Sequence, residues 1–193
     1  MKDIIKMIVV LTLICAASGL ILSAVHGVTK GPIEYARLKN VKEPAVKAVL
    51  SGYDNDPIKD RIEIPIGKDK KGKPVKLVVF PAKKGGKTFA VAFEGTGSGY
   101  GGKIGVMVGI NLEKDDVTGV SIVAHSETPG LGARIVEPQF TNSFKNKSLK
   151  KELTPDDINA LSGATFSTKG TVAAVNQARG LLEKYRDKMV QGG

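Results

Sequence analysis

The sequence predicts an α+β domain hung on one N-terminal membrane-spanning helix. Three observations carry that expectation. Met7 to Thr29 contains no Lys, Arg, Asp or Glu and is largely apolar. Between Arg61 and Ala124, short segments of β character are separated by charged or glycine-rich turns. From Thr171 to Met189, the apolar residues Val172, Val175, Leu182 and Tyr185 recur at helical spacings with charges between them.

The totals narrow the class of protein. A length of 193 residues suits one globular domain plus extras, and a hydrophobic content of 41% is enough for a core. The formal charge of +10 points to nucleic acid, an anionic membrane surface or an acidic partner. Apart from the stretch Lys68–Lys76 the basic residues are dispersed, aromatics make up 5%, and tryptophan is absent. No basic run interleaved with stacking aromatics exists, so no nucleic-acid partner is expected. The lone Cys15 excludes an intrachain disulfide, and an iron–sulfur cluster or Cys-rich zinc site built from this chain alone. With two histidines, His26 and His125, no metal site is expected.

Met7 to Thr29 meets the requirement of about 20 apolar residues for crossing a bilayer. The alternative is a cleaved signal peptide. The run is longer than the roughly 7–15 residues of a signal core. Ser23-Ala24-Val25 is a weak cleavage site, and Ile14 stands where a lipoprotein signal wants a small residue before Cys15. An uncleaved anchor is therefore expected. Lys2 and Lys6 precede the span and Lys30, Arg37, Lys39 and Lys42 follow it, so the basic residues do not decide its orientation. The expected organisation is a short tail over residues 1–6, a transmembrane helix over 7–29, a juxtamembrane connector and helix over 30–52, and a globular domain over 53–193.

Within that frame, Pro32 to Asn40 reads as the connector, interrupted by Pro44, and Ala45 to Leu50 as a short helix stopped by Gly52. Arg61 to Ile66 alternates as a half-buried strand does, Lys68 to Lys73 is a turn signal, and Lys76 to Phe80 completes a hairpin. Lys87 to Phe93, Lys103 to Leu112 and Val117 to Ala124 read as further strands, the last two joined by the turn Glu113–Asp116. Hairpin-linked strands followed by a helix give an antiparallel-rich sheet with flanking helices.

Three constellations bear on chemistry. Gly97-Ser98-Gly99-Tyr100-Gly101-Gly102 matches G-x-G-x-x-G in form, but a dinucleotide site needs those glycines between a strand and a helix. Here a strand follows, so the segment is either a permissive loop or a loop lying against a planar ligand, with Tyr100 as the ring contact. In His125-Ser126-Glu127-Thr128-Pro129-Gly130-Leu131-Gly132, Pro129-Gly130 is a turn signal and His125 reads as a strand-end residue. Ser162-Gly163-Ala164-Thr165 puts a hydroxyl on a small-residue turn ahead of a helix, whose start offers free N–H groups to an anion. Ser167 or Thr168 is the expected cap of that helix.

The Ser162–Thr165 run resembles the flavinylation motif of proteins that carry FMN on a threonine through a phosphoester bond. The Glu127–Gly132 segment resembles the Glu-Thr-Pro-Gly-Leu-Gly loop of the FMN-binding subunits of the Rnf and sodium-pumping quinone reductase complexes. Both occur here in that family's order, behind one N-terminal span and a Gly-rich loop with an aromatic. Among relatives the chain is most similar to the G subunit of the Rnf complex, and it is compact for its quinone reductase counterpart.

The resemblance implies an FMN-binding domain with covalent FMN on Thr165. It implies cofactor contacts at Ser162, Gly163, Ala164, Ser167 and Thr168, at Glu127, Thr128, Gly130, Leu131 and Gly132, and at Tyr100, with no catalytic residue. A separate flavin transferase would attach the group. One position departs from the motif: Asn159 stands where the family usually has aspartate, keeping the shape and losing the charge. The function implied is electron relay beside other membrane subunits of a ferredoxin:NAD+ oxidoreductase that moves Na+ or H+. The chain would be a single-pass protein of the inner membrane with its domain on the extracytoplasmic side. The alternatives are a covalent-flavin carrier for another membrane reductase and a membrane-anchored binding module without redox chemistry.

Overall fold

The structure, a computed structural model, describes residues 2–68 and 72–191. It divides into two compact units, one ending at Val41 and the other beginning at Lys42.

The first unit is helix α1 (Lys2–Arg37), none of whose residues is buried. It is long and apolar enough to cross a membrane. The Thr12 and Thr29 hydroxyls donate to the carbonyls of Ile8 and Val25, at 2.8 and 2.7 Å, and so are satisfied within the helix. The helix outruns the expected connector: Pro32 lies inside it. Proline removes one backbone donor there, and the helix continues past it. A π-helical stretch, Leu38–Lys42, links α1 to α2 (Glu43–Val49). Pro44 does not interrupt a helix as expected. It sits in the first turn of α2, directly after the π-helical stretch, where the hydrogen-bond pattern changes.

The second unit is built on five strands in the order of the chain, all neighbours antiparallel: β1 (Ile62–Lys68), β2 (Pro74–Lys84), β3 (Lys87–Ser98), β4 (Lys103–Asn111) and β5 (Asp116–Ala124). Each expected strand is present, with β2 and β3 longer at their far ends. Asp69, Lys70 and Lys71 of the expected β1–β2 turn lie outside the described residues.

Register decides the two faces. Ile64 pairs with Leu77, Val79 with Phe93, Phe93 with Val108, and Val91 with Ile110, so all share one face and form the main core. The long helix α4 (Thr165–Gln191) covers that face with Val172, Val175, Ala178 and Leu182. Helix α2 packs on the other face, where the Thr118 hydroxyl donates to the Val49 carbonyl at 2.6 Å.

The approach of α4 is set by small residues. Gly95 and Gly97 of β3 face Gly170, Ala174 and Ala178 of α4. A Cβ on Gly97 would lie 2.9 Å from the Gly170 carbonyl carbon and 3.0 Å from the Ala174 nitrogen. Backbone thus meets backbone, and the N-terminal end of α4 is drawn down beside the end of β3. Between β5 and α4 lie short helical turns outside the predicted elements: Gly132–Val136, α3 (Pro138–Thr141), Asn142–Phe144 and Pro155–Asp157. They insert Ile135, Phe140 and Phe144 into the core, the two phenylalanine rings edge-on at 5.4 Å.

Helix α4 also starts earlier than expected. The Thr168 N–H donates to the Ala164 carbonyl at 3.0 Å, so Ala164 occupies the cap position and Ser167 and Thr168 lie within the first turn.

Candidate functional site

Three loops converge where β3, β5 and α4 meet. The first is the β3–β4 hairpin tip, closed by the Gly99 N–H donating to the Gly102 carbonyl at 2.8 Å. Gly97 and Ser98 belong to the strand, so only Gly99–Gly102 form the loop, and the segment joins strand to strand. The second loop follows β5. Pro129 and Gly130 are the central residues of a tight turn closed by Leu131 N–H to Thr128 carbonyl at 3.2 Å, and Gly130 takes φ +75. Proline then glycine is the pairing such a turn selects. The third is the turn before α4. The Ala164 N–H donates to the Leu161 carbonyl at 3.1 Å, with Gly163 at φ +77.

Glu127 ties the three together. It is 5% exposed. One carboxylate oxygen accepts from the Gly101 N–H at 2.8 Å, and the other from the Tyr100 N–H at 3.3 Å and from the Ser167 hydroxyl. Burial pushes this carboxyl up, but the Ser167, Gly101 and Tyr100 donors, with His125 nearby, outweigh it and hold Glu127 below the ordinary carboxylate value. His125 follows β5 and accepts the Glu127 N–H on Nδ1 at 3.3 Å, a strand-end role.

The loops enclose a cavity of about 410 Å3, lined by Tyr100, Glu127, Thr128, Leu131, Gly132, Gly163, Ala164, Thr165, Phe166 and Ser167. Most of the expected site residues therefore come together from segments far apart in sequence. Three do not line it. Gly130 shapes its turn. Ser162 is exposed in the turn before α4. Thr168 is buried, its hydroxyl accepting the Leu161 N–H at 3.3 Å. The Thr128 carbonyl is engaged by Leu131 and Ala133 N–H groups, so it is committed to its own loop.

Phe166 is not among the expected contacts. It is 66% exposed, and its ring lies 6.3 Å from that of Tyr100, itself 77% exposed. The signal that could have found it is an aromatic directly after the Ser-Gly-Ala-Thr run.

The donor set suits a flavin mononucleotide. Tyr100, Phe166 and Leu131 offer apolar and aromatic surface for a planar ring. The first turn of α4 presents backbone N–H groups without intrahelical partners, which favour a phosphate. Gly163 leaves its side of the cavity open: only the Leu131 Cδ2, at 3.9 Å, lies near the place of a Cβ. Thr165, the first residue of α4, is exposed, and among the described residues no protein group holds its hydroxyl.

Fold and site define an FMN-binding domain, and residues 99–180 match the model of the family described as "FMN-binding domain". The match spans all three loops. Over 174 residues the chain is 30% identical to the G subunit of the proton-translocating ferredoxin:NAD(+) oxidoreductase complex of Clostridium ljungdahlii, covering 87% of this chain and 85% of that one. It is 29% identical over 180 residues to the G subunit of the ion-translocating oxidoreductase complex of Methanosarcina acetivorans, covering 92% and 93%. The chain belongs to the family of G subunits of ion-translocating oxidoreductase complexes. The crystal structure of Shewanella oneidensis NqrC shares the fold, with a TM-score of 0.53 at 22% identity over 70% of this chain and 74% of that one.

Proposed function

We propose that this chain is the membrane-anchored FMN carrier of an Rnf-type ferredoxin:NAD+ oxidoreductase coupled to ion movement, with FMN held by a phosphoester on Thr165. The observation that carries the reading is the state of the hydroxyls around the cavity. Ser167 donates to Glu127, whereas the Thr165 hydroxyl on α4 and the Thr128 hydroxyl on the loop after β5 both line the cavity unengaged among the described residues; of these two, Thr165 stands at the N-terminus of α4, where free N–H groups can meet a phosphate. A hydroxyl that takes the FMN phosphoryl group from FAD, its Oγ–P bond forming as the pyrophosphate bond breaks and AMP leaves, must be reachable by the transferase and not locked into the fold.

FMN supplies electron transfer in single or paired steps when bound. The protein's own work is retention and placement. Thr165 would tether the phosphate, and the α4 N-terminus would stabilise the one negative charge of a phosphodiester by a few tenths to about 1 kcal/mol. Tyr100, Leu131 and Phe166, which line the cavity, would offer the ring its apolar surroundings and exclude water from part of it. Helix α1 holds the site at the membrane beside partner subunits, raising its effective concentration there. The extracytoplasmic side is the side we assign to the domain, on its resemblance to the Rnf G subunits; a covalent bond would there retain a cofactor that is not replaced when lost. The basic surface serves either an acidic partner or anionic lipid.

The test is the intact mass of the full chain after co-expression with an active flavin transferase. The expected result is an increment of one FMN in the parent and in Thr165→Ser, and none in Thr165→Ala. A parent mass without the increment, beside a control protein that the transferase does modify, rejects the reading.

A further inference from the structure

We propose that Glu127 is the positioning residue of this site: its carboxylate clamps the Tyr100 hairpin tip to the first turn of α4 and fixes the width of the cofactor cavity. This deepens the FMN reading and rests on it only for its consequence at the flavin. The clamp is a matter of geometry. Both carboxylate oxygens are occupied by donors from elements other than Glu127's own: Tyr100 and Gly101 N–H from the β3–β4 tip, and the Ser167 hydroxyl from α4.

The surroundings reserve the space for that carboxylate. A Cβ on Gly132 would lie 2.6 Å from the Glu127 Oε2, and one on Gly99 would lie 2.9 Å from its Cδ and press on Oε1. Glycines at both places are what let a buried carboxylate sit between the loops.

The consequence falls on Tyr100. Its hairpin tip carries Gly99, Gly101 and Gly102, a backbone with little stiffness of its own. Fixed by Glu127 through its own N–H, Tyr100 is held with its ring 6.3 Å from that of Phe166, at 48°, on the cavity that Leu131 also lines. Ser167 lies two residues after Thr165, so the same carboxylate sets where the threonine stands relative to Tyr100. Glu127 also lines the cavity, so its negative charge opposes placing electrons on a ring bound there.

The experiment uses the full chain in detergent, labelled at glycine and tyrosine for amide exchange by nuclear magnetic resonance. Without the transferase, the Gly101 amide should exchange at least about tenfold slower than in free peptide, although it lies in an exposed turn. In Glu127→Gln, with unchanged circular dichroism, protection should fall about tenfold at the Tyr100 or the Gly101 amide, because glutamine has one acceptor oxygen and its NH2 group, which the Ser167 hydroxyl can accept, leaves one of the two N–H groups without an acceptor. Free-peptide exchange of Gly101 in the parent overturns the clamp even if Glu127→Gln does not fold, and so does unchanged protection of both the Tyr100 and Gly101 amides in a folded variant.

With the transferase, the flavin of Glu127→Gln should have a higher midpoint potential than that of the parent in an equilibrium redox titration. A merely structural glutamate predicts no such rise, and an unchanged potential overturns its placement at the ring. A parent that never loads FMN rejects the FMN reading instead, and the exchange data still decide the clamp.

Discussion

At the scale of single residues, the carboxylates report on function through protonation. Glu127 has a native pKa below that of the unfolded chain, where a glutamate titrates near about 4.3. The unfolded state therefore binds more protons in the acid range, and stability rises with pH there. Its contribution is complete above the unfolded value and is lost as pH falls through the depressed native one. Denaturant midpoints measured from about pH 6 down to pH 3 should fall less steeply for Glu127→Gln than for the parent. Parallel curves would mean that Glu127 is not held as its three donors imply.

A second residue, Asn159, stands exposed ahead of the Ser-Gly-Ala-Thr turn, and of the two aspartates upstream, Asp156 and Asp157, the nearer one is already committed. The Asp157 carboxylate accepts from the Thr154 N–H and hydroxyl at 2.8 and 2.9 Å, and these bonds lower its pKa. Asp157 is thus poorly placed to replace an aspartate at 159. Asn159→Asp should speed FMN incorporation in a time course followed by mass, with no change in thermal midpoint. A slower or equal rate would show that the family's aspartate has no counterpart task here.

At the scale of elements, the site depends on how closely α4 approaches β3. Gly97→Ala forces a methyl against the Gly170 backbone, a contact that no rotamer can relieve. The helix must move outward, at a cost of about 1–3 kcal/mol. The expected result is a lower thermal midpoint together with weaker FMN loading, because Thr165 heads the helix that moves. A control, Gly180→Ala, meets nothing within 4 Å and should raise helix stability slightly. Equal midpoints for the two variants would show that the glycine stripe is not what sets the approach.

The same packing explains what can be read from sequence. The strands are legible because each carries its burial pattern locally, in alternation or in apolar runs bounded by turns. The site loops are legible as motifs, since Pro129-Gly130 and Ser162-Gly163 announce turns by themselves. The start of α4 is not. Ser167 and Thr168 read as cap residues, yet in the structure they are enclosed in the first turn, Ser167 by Glu127 and Thr168 by Leu161. Tertiary hydrogen bonds override a local preference there. Gly97 reads as loop for a similar reason: its partner, Gly170, lies far along the chain. Phe140 and Phe144 fall in no predicted element because helical turns as short as theirs leave no periodicity.

At the scale of the whole molecule, the two units carry separate burdens. Among the described residues, the buried hydrophobic residues begin at Ala45, within the second unit, and α1 contributes none of them. A chain beginning at Lys42 should keep the parent's thermal midpoint within a few degrees, a shift that corresponds to less than about 1 kcal/mol. The anchor can be tested on the full chain through its one cysteine, Cys15, which lies within the apolar stretch of α1. In sealed membranes a water-soluble maleimide should leave Cys15 unmodified, and detergent with denaturant should expose it. Side is then read from a second label. With Cys15→Ser as background, Lys114→Cys presents a thiol in the exposed turn between β4 and β5. Labelling of intact cells stripped of their outer barrier places the domain outside the cytoplasm, as proposed. Labelling only after lysis places it inside and removes the argument that the covalent bond serves retention in a compartment without flavin.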